Sequence, residues 1–325
     1  MRCDKCPSRA VTFVRYSGSH LCKAHFNDFL DKRVKRCVRE QTNLGKHRKV
    51  AVGVSGGKDS SVALYLMHKI MGARRGSELV AITVDEGIGG YRDRSIPYAR
   101  RLSDELGIEH VTVTFRDVLG IEMDSIAGDG VLACSYCGVF RRHCLNIAAR
   151  EAGAQLLATG LNLDDTVQSV LMNMARAEMP RLARMGPHEG VQDGLVPRIQ
   201  PLREIPEKEV YLYALLNGIS FYSSDCPYAE SAMRGRFKSL VAELEELMPG
   251  TRHGILRAYD ELRPLLLQKY PPAALGRCAR CGEPTMKERC KACEMVDELK
   301  PDPVHSRSRK KSRCPAIGSS SRGPS

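Results

Sequence analysis

Two groups of residues have the types and spacing for chemistry. The first is the stretch VGVSGGKDS at 52–60, in which Gly53 and Val54 lead into Ser55, Gly56, Gly57, Lys58, Asp59 and Ser60. An apolar, β-branched run precedes it and a helically spaced run follows. The glycines therefore fall at a helix N-terminus, where free backbone N–H groups and the helix dipole favour an anion. A Walker A loop needs four residues between its glycines, and a Ser or Thr after its lysine for the Mg²⁺ of a γ-phosphate. Here the spacing is shorter, and Asp59 stands in place of that hydroxyl.

The second group is sulfur. Thirteen cysteines are unsuited to structural disulfides in a reducing cytosol, so their spacing is read as ligands or catalysts. Cys3-x-x-Cys6 and Cys22-x-x-His25 are separated by fifteen residues, and Cys278-x-x-Cys281 and Cys290-x-x-Cys293 by eight. Each pair of knuckles supplies four ligands for a tetrahedral Zn²⁺, closed to water and suited to folding a short segment. Three spaced thiols are left over: Cys134 and Cys137 in CSYC, and Cys226 in DCPY. Three thiolates hold three irons of a 4Fe-4S cluster and leave the fourth open. The same thiols would also serve a persulfide route with transient disulfides. Cys37, Cys144 and Cys314 lack partner spacing and are read as structural or incidental.

These groups need a scaffold, and the intervening pattern alternates strand and helix. Strands are expected at 49–55, 79–84, 110–115 and 155–159, with helices at 60–71, 95–106, about 139–152 and 164–176. This is the rhythm of an α/β fold with a parallel sheet covered on both faces. The stretches 205–218 and 231–270 read as mostly helical, with a break at Pro249-Gly250. The expected domains are an N-terminal zinc finger (1–30), a catalytic domain with a helical C-terminal part (31–270), a C-terminal zinc finger (271–298) and a basic disordered tail (299–325).

Charge follows the same division. Of the net +12, residues 1–49 carry 13 basic against 4 acidic side chains and residues 301–325 carry 6 against 1, while the body holds 31 against 33. Basic ends on a near-neutral body suit a polyanion held by the ends, with chemistry between them. No apolar run approaches the roughly 18 residues of a membrane span, and MRCDKCPSR lacks a signal-peptide core. The expectation is a cytoplasmic protein with no membrane partner.

SGGKDS resembles the loop of the PP-loop ATP pyrophosphatases, which cleave ATP between its α- and β-phosphates. The wider pattern resembles the TtuA/NcsA group of tRNA 2-thiouridine synthetases over roughly residues 1–295. It rests on the N-terminal Cys/His finger, VSGGKDS, DEGIGGYR (85–92), CSYCGVFRR (134–142), TGLNLDDTVQS (159–169), RLARMGP (181–187), DCPY and the C-terminal four-Cys knuckle. The resemblance implies a PP-loop domain flanked by zinc modules and an oxygen-sensitive 4Fe-4S cluster on Cys134, Cys137 and Cys226. It also implies catalytic assistance by Arg141 and Asp165, and ATP with Mg²⁺ near Asp85, Gly160, Asp164 and Asp165. Many relatives read GHNLDD where this chain has Leu161 in place of the histidine.

The implied reaction places the β,γ-phosphates of ATP on Gly56–Ser60, with Lys58 stabilising charge. Uridine O2 attacks the α-phosphorus, pyrophosphate leaves, and sulfur then displaces AMP. Arg141 would stabilise developing negative charge, and Asp165 would position Mg²⁺ or move a proton. The partners are tRNA, a sulfur donor (sulfide or a thiocarboxylated ubiquitin-like protein) and a second copy of the chain, with Arg181 and Arg184 along the RNA path. The wobble position and the T-loop are both admitted as targets. The alternatives are 2-thiocytidine synthesis and a non-catalytic zinc-finger RNA-binding adapter.

Overall fold

The computed structural model describes residues 1–46, 49–72, 74, 76–126, 133–188, 191–228 and 234–299. The expected tail, apart from Leu299, and Cys314 lie outside the described residues; Leu299 is helical.

Short strands β1 (Arg2–Cys3), β2 (Cys6–Arg9), β3 (Thr12–Val14) and β4 (Ser19–Leu21) pair as two antiparallel hairpins ahead of α1 (Lys23–Gln41). That helix runs unbroken past residue 30, so the N-terminal module shares an element with the body. The alternating region follows: β5 (Lys49–Gly53), α2 (Lys58–Met71), β6 (Glu78–Asp85), α3 (Arg92–Glu105), β7 (Glu109–Thr114), short α4 (Phe115–Leu119) and α5 (Met123–Ile126), α6 (Ala133–Glu151), β8 (Leu156–Thr159), α7 (Leu163–Ala175), α8 (Met179–Ala183) and β9 (Arg198–Ile199). After it come α9 (Glu207–Leu216), α10 (Arg234–Leu247) and α11 (Thr251–Lys269), then a hairpin of β10 (Gly276–Arg277) and β11 (Pro284–Thr285), and α12 (Lys291–Leu299).

The main sheet has the order β7-β6-β5-β8-β9, and all its pairings are parallel. β5 is central and buried along Val50, Ala51 and Val52, as expected of a strand covered on both faces. Its alternate residues serve different cores. Val50, Val52 and Val54 pack with α1, α2 and α9, whereas Ala51, Val80, Ile82 and Leu157 pack against Ala148 and Ala149 of α6. The nucleotide loop and α2 thus lie on one face of the sheet and α6 on the other.

Two departures from expectation bear on the site. α6 begins at Ala133, six residues before the expected start, so Cys134 and Cys137 lie within its first turns. Its Cys, Ser and Gly residues are weak helix formers, and burial of Ala133 and Phe140 overrides their propensity. The two-residue strand β9 was not expected, being too short to show an alternating pattern.

Glycine is required where α2 meets the turn after β8. A Cβ on Gly160 would stand 2.8 Å from the backbone N and Cα of Ser60, and one on Gly56 (φ +82°) would reach 2.0 Å from the Ser95 carbonyl oxygen. Neither contact involves a flexible side chain that could yield. Gly160→Ala is expected to lower unfolding free energy by about 1–3 kcal/mol, read from urea denaturation, through forced displacement of α2.

Candidate active site

The loop of residues 55–60 is closed by its own hydroxyls. Ser60 Oγ accepts from the Ser55 N–H at 3.0 Å, lies 3.0 Å from Ser55 Oγ, and donates to the Gly57 carbonyl at 2.9 Å. Gly57 caps α2, so the free N–H groups of the helix start face the loop. Lys58 Nζ donates to Asp59 Oδ2 at 2.9 Å and to Glu207 Oε1 at 2.8 Å. Burial opposes its charge, but the two carboxylates prevail and raise its pKa above the usual lysine range.

Asp165 lies near the two carboxylates that hold this lysine, and α10 supplies counter-charges. Glu207 is also held by Lys238 at 2.8 Å, and Asp165 Oδ1 lies 3.4 Å from Arg234 Nη1. Asn162 caps α7, accepting from the Asp165 N–H at 3.0 Å, and its Nδ2 donates to Asp59 Oδ1 at 3.1 Å. Burial pushes the Asp165 carboxyl up to about 6; Asp59 and Glu207 add to the rise, while Arg234 and the Asn162 N–H oppose it. Asp164 is differently placed: its oxygens accept from Arg252 Nε at 2.7 Å and the Glu207 N–H at 2.8 Å, tying α9 and α11 to α7. Asp85 accepts from the Gly87 N–H at 2.9 Å and shapes the turn after β6. Gly53 ends β5 against Leu145, Val54 is buried, and Leu161 is exposed.

The thiols join this region through a carboxylate that sequence reasoning did not single out. Glu86, with 0% exposure, is gripped by both Nε and Nη2 of buried Arg92, the latter at 2.6 Å, and by Arg141 Nε at 2.7 Å. Arg92 Nη1 donates to the Ser55 carbonyl at 3.1 Å, and Arg141 Nη2 donates to Cys137 Sγ at 3.3 Å. One network therefore runs from the nucleotide loop to a cysteine. Burial alone would raise the Glu86 pKa, yet Arg141 and Arg92 hold it below the usual carboxylate range. Glu86 and Arg92 both lie in DEGIGGYR, but their burial and pairing leave no mark in residue order. Glu207, at the start of α9, reads in sequence as an ordinary acidic first turn.

Cys134 Sγ donates to the Tyr228 carbonyl at 3.4 Å. Burial, together with the nearby Cys134, raises the Cys226 thiol. Cys137 and Cys226 pack against an apolar cluster that includes Phe140 and Tyr228. Cys134 is exposed and Cys137 and Cys226 are half-buried, and a donor set of three thiols is of the chemical kind that holds an iron–sulfur cluster. The two terminal sets are tighter. The ligand atoms of Cys3, Cys6, Cys22 and His25, and of Cys278, Cys281, Cys290 and Cys293, lie within 4.8 Å of one another in each set, which suits a single ion. Burial works against the Cys278 thiolate, but N–H groups of Cys290, Cys281 and Arg280 outweigh it and draw the thiol down to about 6. Cys37 and Cys144 are buried, and burial raises both thiols to about 12, in keeping with a structural role.

Arg181 is paired with Glu178, and Arg184 borders a cavity of about 870 Å³ between α1, α11 and the segment before β9, which holds none of the phosphate-loop residues and none of Cys134, Cys137 and Cys226. No helix among the described residues is long and apolar enough to cross a membrane.

A pyrophosphate-type loop on a parallel sheet, with thiols at the carboxyl end of that sheet, defines a PP-loop protein. Residues 27–244 match the PP-loop domain family, and residues 2–27 match the N-terminal LIM domain of 2-thiouridine synthetase TtuA. The chain is 39% identical over 318 residues to the tRNA 2-thiolation protein NcsA of Haloferax volcanii, covering 92% of this chain and 99% of that one. It is 31% identical to the tRNA-5-methyluridine(54) 2-sulfurtransferase of Pyrococcus horikoshii, covering 90% and 93%. Its structure is similar to that of the U34-tRNA thiolase NcsA of Methanococcus maripaludis with its [4Fe-4S] cluster, with a TM-score of 0.79, 34% identity, and 92% and 96% of the chains covered. The chain belongs to the TtuA/NcsA family of PP-loop proteins.

Removing the Glu86 charge leaves two guanidiniums facing each other without their counter-ion. Glu86→Gln is expected to cost about 3 kcal/mol of stability in urea unfolding at pH 7. Because the folded pKa of Glu86 is depressed, its stabilisation is present above the unfolded value of about 4.3. It is lost as pH falls through the folded value. The stability gap between wild type and Glu86→Gln should therefore narrow below about pH 4, and a constant gap would contradict the ion-pair account.

Proposed function

We propose that this chain is an ATP-dependent tRNA-uridine 2-sulfurtransferase that activates the base by adenylation. The observation that carries the reading is the Glu86 network, which couples the Ser55 carbonyl of the phosphate loop to the thiol of Cys137 through two arginines. Loop and sulfur chemistry thus belong to one site. The family relatives act on tRNA by name, and the basic N-terminal region suits that substrate.

In this reading the β,γ-phosphates of ATP occupy Gly56–Ser60, the α2 N–H groups and Lys58 stabilise the departing pyrophosphate, and Asp59, Asp165 and Glu207 would be the carboxylates available to Mg²⁺, which would neutralise phosphate charge. Lys58 exchanges its carboxylate partners for phosphate. Uridine O2 attacks the α-phosphorus, and the P–O bond to pyrophosphate breaks. Sulfur then adds to the activated ring carbon, and AMP leaves with the former O2. Arg141 neutralises negative charge beside Cys137. Asp165, with its raised pKa, takes up a proton near neutral pH. The cluster on Cys134, Cys137 and Cys226, when bound, supplies an open iron position able to hold sulfide. The terminal Cys/His sets hold Zn²⁺ and stiffen the ends. The proposal includes a cytoplasmic homodimer and, as donor, sulfide or a thiocarboxylated ubiquitin-like protein. The higher identity to the two NcsA proteins favours uridine 34 as the target.

Anaerobically reconstituted protein, incubated with unmodified tRNA, ATP and sulfide, should yield 2-thiouridine by nucleoside mass spectrometry. Cys226→Ala should lose at least a hundredfold of that product; full thiolation by this variant would sink the cluster reading. The profile of kcat/KM against pH should rise through about pH 6 in wild type. In Asp165→Asn the rate should be low and that limb absent; an unchanged profile would remove Asp165 as the proton acceptor.

A further inference from the structure

The pleat of the sheet decides which way Arg198 points. In β9, Arg198 is in register with Leu157 and Ile199 with Ala158. Leu157 belongs to the core beneath α6, whereas Ala158 and Ile199 belong to the core beneath α1, α2 and α9. Alternate residues of a strand face opposite sides, so Arg198 stands on the α6 side. There its Nη2 donates to the backbone carbonyl of Arg142 at 3.3 Å. Arg142 directly follows Arg141, the residue that touches Cys137 Sγ.

Neighbouring arginines are met by carboxylates: on α6 Arg141 has Glu86 and Arg150 has Glu283, and Arg181 has Glu178. Among the described residues, Arg142 and Arg198 have none. Burial lowers the pKa of Arg142, and the charges of Arg181 and Arg141 lower it further, with the Cys137 thiolate opposing. Burial and then Arg142 draw Arg198 down to about 10. Arg142 is nevertheless exposed and Arg198 half-exposed, so both can be reached by a ligand from solvent. Two crowded guanidiniums without a counter-ion carry a standing electrostatic cost, which an anion between them would remove. Their forked donors match phosphate oxygens.

We propose that Arg142 and Arg198 form a phosphodiester-binding site that holds the RNA backbone beside the nucleotide presented to Cys137 and Arg141. The site rests on the tRNA-thiolation reading and specifies where the strand is gripped. ATP is the other source of the same chemistry, but its loop and Lys58 belong to α2 on the opposite face of the sheet.

The test uses the full chain and an unmodified tRNA transcript in fluorescence anisotropy over a salt series, with Arg142→Gln, Arg198→Gln, the double variant and Arg198→Lys. Each single variant should bind tRNA roughly 3–10-fold more weakly and reduce the slope of log Kd against log salt by about 0.7–0.9, the loss of one phosphate contact. Arg198→Lys should keep the wild-type slope. Binding of a nonhydrolysable ATP analogue should be unchanged. The midpoint of thermal unfolding without RNA should hold or rise in both Gln variants, because crowding is relieved; a structural role would lower it. Wild-type affinity and slope in the double variant would overturn the site. Weakened ATP-analogue binding with intact tRNA binding would assign the pair to the nucleotide instead. Absence of tRNA binding by the wild type would overturn the thiolation reading itself, and the site with it.

Discussion

A carboxylate with no solvent contact is tolerated only if its charge is met at once, and in Glu86 two arginines from different segments meet it. Arg92 opens α3 and also holds the Ser55 carbonyl, while Arg141 lies two turns into α6 and also reaches Cys137. The turn after β6, the start of α3, the phosphate loop and the thiol-bearing helix are therefore mutually dependent. None can shift far without leaving a buried charge unpaired. Placing sulfur chemistry next to nucleotide chemistry is in this sense a consequence of one desolvated carboxylate.

The parallel sheet then divides the labour. Because its central strand is covered on both faces, side chains that alternate along β5, β8 and β9 are delivered to different compartments. The side with α2 and α9 receives Lys58, Asp59 and Glu207, where positive and negative charges already cancel in pairs. The side with α6 receives Arg141, which Glu86 neutralises, and Arg142 and Arg198, which no carboxylate among the described residues meets. A phosphate on the α2 side must displace carboxylates from Lys58, whereas on the α6 side Arg142 and Arg198 hold no carboxylate to displace. On the function proposed above, nucleotide binding on the α2 side requires exchange of ion pairs, whereas RNA binding on the α6 side is salt-sensitive.

Sequence order made the loop, the metal-type sets and the alternation of strand and helix readable because each rests on local spacing: two residues between thiols, a glycine turn between a β-branched run and a helical one. The early start of α6 was not readable, since Cys, Ser and Gly argue locally against helix and only the burial of Ala133 and Phe140 decides otherwise. Glu86 and Glu207 were missed for a related reason. Their roles depend on partners six and about 150 residues away, and an acidic residue in a turn or a first helical turn is ordinary in isolation. Asp164 and Asp165 show the converse. Adjacent and alike in sequence, they are separated by the helix itself into a tie between α9 and α11 and a carboxyl with raised pKa beside the loop.

The C-terminal module acts on the site through α6 as well as through charge. Glu283, whose carbonyl accepts from the Cys278 N–H at 2.9 Å, sends its carboxylate to Asn146 Nδ2 at 2.9 Å and to Arg150 on α6. Asn146 in turn donates to the Gly194 carbonyl at 2.9 Å and accepts from the Val196 N–H at 3.0 Å, fixing the chain two residues before Arg198. At the other end of α6, Tyr136 donates to Glu298 of α12 at 2.8 Å. The module is thus a brace spanning α6 from the turn with the thiols to the turn that positions β9. The separation of Arg142 from Arg198, and of both from Cys137, is set by a short segment whose four cysteines lie close enough for one ion to hold them together.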